Sequence, residues 1–391
     1  MAKRGNGEGS IFKRTDGRWC AAISAGWKDG KPLRKYIYGQ SKAEVRQKLT
    51  KTKHDQDMGL PVAVERQKLS DYLANWLENS AKPSIRPKTY VSYEQLIRVH
   101  INPALGSLYL EKLAPQHVQQ FMNDKLEAGL STRTVQYLHA VLRRALGQAL
   151  KWGLVARNVA TLVDAPRVEH KALRPFTPEE AKKFLDAVRG DRLEALYSVA
   201  LSLGLRQGEA LGLRWEDVDL ENGTLTVRYA LQRVNGKLEL VEPKTKKSRR
   251  TIALPSVAVN ALTKHKMVQA SERQWAADRW QDTGHVFTSS IGTPLDDCNV
   301  THQFQRILKT AGLPRLRFHD LRHTCATLLI AQGVHPRYVM DILGHSQIAL
   351  TMNTYGHVFL SIQREAASKM DEILSRVDVK VAVKEGLEQV Q

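Results

Sequence analysis

The chain has 391 residues, 42% hydrophobic and 25% charged, and 59 Lys and Arg against 40 Asp and Glu leave a net charge of +19. That length accommodates roughly two to four domains, and the balance of apolar and charged residues excludes a disordered tail. No apolar run reaches the roughly 18 residues that a bilayer span requires. The first residues, Met-Ala-Lys-Arg-Gly-Asn-Gly, are basic but lack the apolar segment of a secretory signal. Cys20, Cys298 and Cys325 are scattered and odd in number, with no CxxC spacing. They point to a reducing compartment and away from a disulfide framework or a zinc site. Cys325 sits in an apolar run and reads as a core filler. The positive excess points to a polyanionic partner, with nucleic acid the first candidate. It divides into +8 over residues 1–64, +6 over 65–168 and +5 over 169–391. Three positive modules suit a long duplex contacted at several places better than one basic tail would.

The first stretch reads as a small sheet followed by a helix. Ser10–Arg14, Arg18–Ser24 and Leu33–Tyr38 are strand-like, with Asp16-Gly17 and Asp29-Gly30 as the turns between them. Ser41-Lys42-Ala43-Glu44 is a capping box opening a polar helix to about Asp57. Lys13, Arg14, Arg18, Arg34 and Lys35 stud the predicted sheet, with Trp19 and Tyr36 among them. Because strands can enter a DNA groove, a docking face is preferred here over a merely solvated one.

Gly59-Leu60-Pro61 separates this module from a helical one. Leu69, Tyr72, Leu73, Trp76 and Leu77 follow the spacing of an amphipathic helix. Pro87 and Pro115 mark first turns of further helices. Ser131 opens a fourth, carrying Val135, Leu138, Leu142, Leu146 and Leu150, which Gly153 closes. In this all-α bundle, Lys82, Arg86, Lys88, Arg133, Arg143 and Arg144 are candidates to face phosphates. From Ala165-Pro166 to Arg174-Pro175 the chain loses periodicity, as a linker does. Thr177-Pro178-Glu179-Glu180 then caps the first helix of a third, mainly helical domain. Strands are expected near Thr224–Gln232, Lys237–Val241 and Arg249–Leu254, with Asn235-Gly236 as a hairpin turn. The last 30 or so residues are of mixed charge and weakly amphipathic, suited to a helix that meets a partner subunit.

Within the third domain, Arg206 follows Leu203-Gly204-Leu205. His319-Asp320-Leu321-Arg322-His323 opens an apolar helix, with His319 and Arg322 on one face. Gly344-His345 closes the next helical run, and Tyr355 follows in Thr354-Tyr355-Gly356-His357. Singly, each is most simply a cap, a salt bridge or a core residue. Together they can do chemistry. Two arginines can clamp the non-bridging oxygens of a phosphodiester, histidines can move protons near neutral pH, and a tyrosine hydroxyl can attack phosphorus. Removing the proton of a free tyrosine at pH 7 costs about 4 kcal/mol, which calls for a nearby base and cationic neighbours.

The ordered set Leu205-Arg206-Gln207-Gly208-Glu209, Pro243-Lys244-Thr245, His319-Asp320-Leu321-Arg322-His323-Thr324, Leu343-Gly344-His345 and Thr354-Tyr355-Gly356-His357 resembles the tyrosine recombinase, or phage integrase, family. The resemblance spans roughly residues 175–360, and the two front modules are similar to the arm-site-binding and core-site-binding domains of phage and conjugative-transposon integrases. It implies a multidomain chain. Residues 1–62 would form a sheet-plus-helix arm-type DNA-binding domain, and 65–165 an all-α core-binding bundle. Residues 174–391 would form a mainly α, α+β catalytic domain with a C-terminal tail. Tyr355 would be the nucleophile that takes a DNA 3′ phosphate and frees a 5′ hydroxyl. Arg206 and Arg322 would hold the scissile phosphate, His319 would assist the tyrosine, and His345 would donate to the phosphate. Lys244 would protonate the leaving oxygen, with Lys246 and Lys247 as neighbouring alternatives, and Glu209 would orient Arg206. The expected activity is site-specific integration, and excision, of a phage or mobile element without metal, ATP or other cofactor. The expected partners are double-stranded DNA at core and arm attachment sites, three further copies of the chain in a tetramer passing through a Holliday junction, and a host bending or excision factor. The expected setting is the nucleoid of a bacterial cytoplasm. A type IB topoisomerase-like enzyme or a catalytically inert DNA-binding regulator would share parts of this pattern; the two DNA-binding modules disfavour the first, and the occupied catalytic positions disfavour the second.

Overall fold

The computed structural model describes residues 10–28, 31–57, 66–168, 174–242, 249–344 and 367–374. The chain divides into two compact units, Met1–His170 and Lys171–Gln391.

The first unit begins with an antiparallel sheet in the order β1 (Ser10–Lys13), β2 (Trp19–Lys28), β3 (Lys31–Gly39), followed by α1 (Lys42–Asp57). Gly17, at a φ of 81°, makes the β1–β2 turn; the Asp29-Gly30 turn lies outside the described residues. The expected cap forms: the Ser41 hydroxyl accepts from the Glu44 N–H, and the Glu44 carboxylate takes the Gln40 N–H. Side chains alternate across a strand, so Ala21 and Ile23 point with Ile11, Trp19 and Ile37 toward Val45 and Leu49 of α1. The opposite parity carries Phe12, Tyr36 and Tyr38, all exposed. Trp19 therefore belongs to the small core, and only Tyr36 of the expected pair lies on the open face.

The unit continues with α2 (Leu69–Trp76), α3 (Pro87–Leu96), α4 (Asn102–Leu105), α5 (Pro115–Glu127) and α6 (Thr132–Lys151). The Gly59-Leu60-Pro61 break lies outside the described residues. Leu69, Tyr72, Leu73 and Trp76 are buried, and the Tyr72 hydroxyl is satisfied by the Ala145 carbonyl at 2.5 Å. Along α6 the expected leucine stripe is buried except at its end. Ala149 takes the last core position, which leaves Leu150 exposed.

The second unit is built around α8 (Glu194–Leu203), in which eight of ten residues are buried. A helix apolar on all sides is a central one. Around it lie α7 (Pro178–Ala187), α9 (Gln207–Leu211), α10 (Ser256–Ala276), α11 (Asp297–Thr310), α12 (Asp320–Ala331) and α13 (Pro336–Leu343). Phe176, Phe184, Tyr197, Phe304 and Phe318 form one aromatic cluster, with neighbouring ring centroids 5.6 to 6.2 Å apart. Such pairs add about 1 kcal/mol each to the burial of their area. Phe318 immediately precedes His319, so this cluster sets where α12 begins.

The strand expected over Thr224–Gln232 is two. β5 (Thr224–Val227) joins β4 (Val218–Asp219) and β8 (Arg250–Ala253) in one sheet, whereas β6 (Ala230–Val234) pairs, among the described residues, with β7 (Lys237–Val241) alone. Arg228 and Tyr229 carry the chain between sheets, and Arg228 is tied to the Asp217 carboxylate at 2.6 Å. The β6–β7 turn is the expected Asn235-Gly236, both at positive φ.

α8 ends at Gly204 in a left-handed conformation, φ 61° and ψ 35°. A Cβ there would lie 2.5 Å from Leu343 Cδ2, and Leu343 is itself fully buried. Gly204→Ala should therefore destabilise the protein by about 2 kcal/mol, from backbone strain plus overpacking. Urea unfolding of the variant checks this, and an unchanged midpoint would contradict it.

Candidate active site

The ends of three helices meet at one place in the second unit. α8 stops at Gly204, Leu205 is buried, and Arg206 is extended (φ −68°, ψ 148°) as it caps α9. One turn later, Glu209 reaches back. Its Oε2 accepts the Arg206 backbone N–H at 3.1 Å and its Oε1 accepts Arg206 Nη1 at 2.6 Å. The Arg206 side chain is 39% exposed, while Glu209 is only 5% exposed. The expected orienting role of Glu209 thus has a geometric basis: a capping carboxylate also fixes the arginine.

Arg322 is different. It sits in the first turn of α12 and is 1% exposed. A cation near the start of its own helix opposes the helix dipole. Two other helices offset this. Arg322 Nη1 donates to the Gly204 carbonyl at the end of α8 (2.8 Å), and Nη2 donates to the Leu343 carbonyl at the end of α13 (2.5 Å). Carbonyls at helix C-termini lack partners within their own helices and carry partial negative charge.

His319 precedes α12, its ring 5.1 Å from that of His323 in an edge-to-face pair. His319 is exposed to solvent, yet enough protein lies around its imidazole to desolvate it in part. That desolvation, together with the charges of His323, Arg322 and Arg206, pushes its pKa down from 6.5 to about 4. At pH 7 the ring is therefore neutral, with a free nitrogen lone pair for a hydrogen bond, although it is a weaker base than a free imidazole. The same charges place His319 within electrostatic reach of both arginines. The α12 start is braced by Asp320, which accepts the Arg317 backbone N–H and Nη2 at 2.7 Å each. It is also braced by the Thr324 hydroxyl, between the Asp320 carbonyl and the Phe176 N–H. Cys325 is buried and its thiol is pushed up to about 12, which suits a core residue rather than a nucleophile.

Lys244, with its neighbours Lys246 and Lys247, His345 and Tyr355 lie outside the described residues, as does the tail apart from a helical stretch at 367–374. Of the predicted catalytic set, the structure thus brings together Arg206, His319 and Arg322, with Glu209. It adds Arg250, which sequence reasoning missed. This arginine begins β8 with its side chain 7% exposed, and it donates to Glu209 Oε2 at 2.9 Å and to the Ile342 carbonyl at 2.6 Å. Glu209 lies between two guanidinium groups; burial pushes its pKa up, but Arg250 and Arg206 outweigh that and hold it below 4.5. Its ion pairs therefore contribute stability that is fully present above about pH 4.5 and is lost as the pH falls on through the lower pKa of the folded state.

In the first unit the candidate DNA-facing residues are mostly exposed. Arg34 shares the open face of the sheet with Tyr36 and Tyr38. Arg14 stacks 5.4 Å from the Tyr38 ring centre, and Arg18 pairs with Asp16. Lys13 and Lys35 are exposed but have the parity of the α1 side, opposite Trp19 and Ile23. Lys82 is paired with Glu78, Arg86 caps α3, and Lys88 is open. Arg133 and Arg143 line an open groove of about 360 Å³ with Tyr137 and His139, and Arg144 reaches Ser84 and the Tyr93 hydroxyl at 3.3 Å each. Among the described residues, one group has metal-ligand spacing, Asp296, Asp297 and Cys298. Its Asp296 carboxylate is already committed to capping α11 and to Arg233, so the group does not read as a metal site.

Comparison with known proteins finds relatives in family and fold. The model of the phage integrase family matches residues 174–361, and that of the phage integrase N-terminal SAM-like domain matches residues 68–126. The chain is 33% identical to a XerC-like tyrosine recombinase of Caldanaerobacter subterraneus, over 88% of this chain and 93% of that protein. It is 31% identical to an integrase of Streptomyces ambofaciens, over 96% and 99%. The fold matches the Tn1549 transposon integrase in complex with transposon right end DNA, with a TM-score of 0.67 at 23% identity, over 78% of this chain and all of that one. It also matches a lambda integrase tetramer bound to a Holliday junction, with a TM-score of 0.55 at 18% identity, over 86% and 95%.

The depressed His319 pKa has a direct check. In the DNA-free protein, the His319 imidazole should titrate near pH 4 by NMR, and not near 6.5. Because an unfolded chain takes up that proton first, the folded state should lose stability as the pH falls from 6.5 towards 4.

Proposed function

The chain belongs to the phage integrase family of tyrosine recombinases, and on that premise we propose that it integrates, and excises, a phage or mobile element by cutting and rejoining DNA at attachment sites. The observation that carries this reading is the convergence of Arg206, His319 and Arg322 at the ends of α8, α12 and α13, with a neutral imidazole beside two guanidinium groups.

In this mechanism the Tyr355 hydroxyl attacks the scissile phosphorus, forming a 3′-phosphotyrosine and releasing a 5′ hydroxyl. His319 assists the loss of the tyrosine proton. Arg206 and Arg322 hold the non-bridging oxygens as charge accumulates, with His345 donating a further hydrogen bond. Lys244 supplies the proton to the leaving oxygen. The ester keeps the energy of the broken linkage, so a second strand's 5′ hydroxyl can reverse the step without ATP. Binding divides among three modules. Residues 1–62 take an arm site with the aromatic and basic face of the sheet, 65–165 grip the core site through α6, and 174–391 cut. Four chains act on two duplexes, by way of a Holliday junction. No helix among the described residues is long and apolar enough to cross a membrane, and the proposed setting is the bacterial nucleoid.

Tyr355→Phe should retain site-specific DNA binding while covalent complexes and strand exchange disappear. Recombination of paired attachment-site plasmids by that variant would remove Tyr355 from its role. Deleting residues 1–62 should spare the core-site gel shift and abolish a second one. A full-length protein that protects no second site in footprints of the DNA flanking its gene would refute the arm-binding assignment.

A further inference from the structure

Among the described residues, Arg250 is the least exposed cation of the site after Arg322, and the catalytic scheme above leaves it without a task. Its guanidinium joins two parts of the clamp. On one side Nη2 meets Glu209 Oε2 at 2.9 Å, on the carboxylate whose other oxygen holds Arg206. On the other, Nε meets the Ile342 carbonyl at 2.6 Å, one residue before the carbonyl that receives Arg322. The contact is close-fitting: a Cβ added at Gly344 would lie 3.1 Å from Arg250 Nη1 and Cδ. In sequence, Arg250 follows Lys244 by six positions, and Gly344 immediately precedes His345.

The charges make the role specific. Glu209 is a buried anion bonded directly to Arg206. By itself it would cancel the positive charge that Arg206 has to offer a phosphate. With Arg250 on the same carboxylate, the three groups together carry one net positive charge. Glu209 and Arg250 are themselves buried, so little water screens the charge of either, and removing one leaves the other felt at Arg206. We propose that Arg250 is a positioning residue of the strand-transfer site: it neutralises Glu209 so that Arg206 keeps its charge for the scissile phosphate, and it fixes the end of α13 from which His345 departs.

This inference rests on the proposed recombinase function, and its test separates the two. Covalent-complex formation is followed at saturating DNA on a nicked duplex carrying the footprinted core site. A wild-type protein that forms no complex would count against the function itself. Given wild-type cleavage, Arg250→Met should cleave about 100-fold more slowly, with its affinity for the same duplex changed less than about 3-fold, since the loss is in the transition state. The double variant Glu209→Gln with Arg250→Met restores the net charge and should recover at least about tenfold of that loss, which a packing defect would not do. Wild-type rates in folded Arg250→Met, or a double variant no faster than the single one, would overturn the proposal. If Arg250→Met does not melt cooperatively, Arg250→Lys decides: it keeps the charge and should cleave within about tenfold of wild type, and a larger loss overturns the assignment.

Discussion

A buried guanidinium must be met by negative charge or the fold does not tolerate it. Arg322 imposes that condition on the second unit. Its charge is met by the carbonyl ends of α8 and α13, so two consecutive helices, α12 and α13, and a third more than a hundred residues earlier are obliged to begin or finish within hydrogen-bond reach of one side chain. The left-handed Gly204 and Gly344 follow from the same requirement, since each helix has to stop abruptly with its last carbonyls turned to the arginine. The apolar surroundings of α8 and the aromatic cluster beneath Phe318 then make the junction rigid. Breaking such a buried contact costs about 3–5 kcal/mol, comparable to much of a domain's net stability.

Much of this was legible in the sequence because helix ends leave marks. Leu-Gly-Leu before Arg206, His-Asp-Leu-Arg opening an apolar run, and Leu-Gly-His after one are all boundary signals. Arg206, His319 and Arg322 sit at those boundaries, so the same marks that ended the helices drew attention to these side chains, and the resemblance of the ordered motifs then proposed their roles. Arg250 was invisible for the opposite reason. It closes the run Lys244-Thr245-Lys246-Lys247-Ser248-Arg249-Arg250, in which no local pattern distinguishes a buried arginine from its neighbours. Only its tertiary partners, Glu209 and Ile342, 41 and 92 positions away, single it out.

The misreadings have the same origin. Thr224–Gln232 shows an unbroken strand composition, but which strand each half pairs with depends on residues elsewhere, and the chain changes sheets at Arg228. Leu150 continues a helical stripe in sequence at a point where Ala149 already fills the core. Trp19 and Tyr36 look alike as aromatic neighbours of basic residues, yet strand parity sends the first to α1 and the second to the open face. Composition states what a segment can do, and register and cover decide what it does.

The contrast in burial between the two sets of basic residues has a consequence for ionic strength. Arg18, Arg34, Lys88 and Arg143 are exposed to the ions of the solution, and any grip they have on a duplex depends on displaced counterions. Arg322 and Arg250 are enclosed by protein, where dissolved ions do not reach. Salt can thus loosen the hold of the protein on DNA while leaving the ties that bind Arg322 and Arg250 to their protein partners almost untouched. The cell's ionic conditions would set how often a site is occupied, and the buried charges would keep the frame around Arg206 the same each time it is.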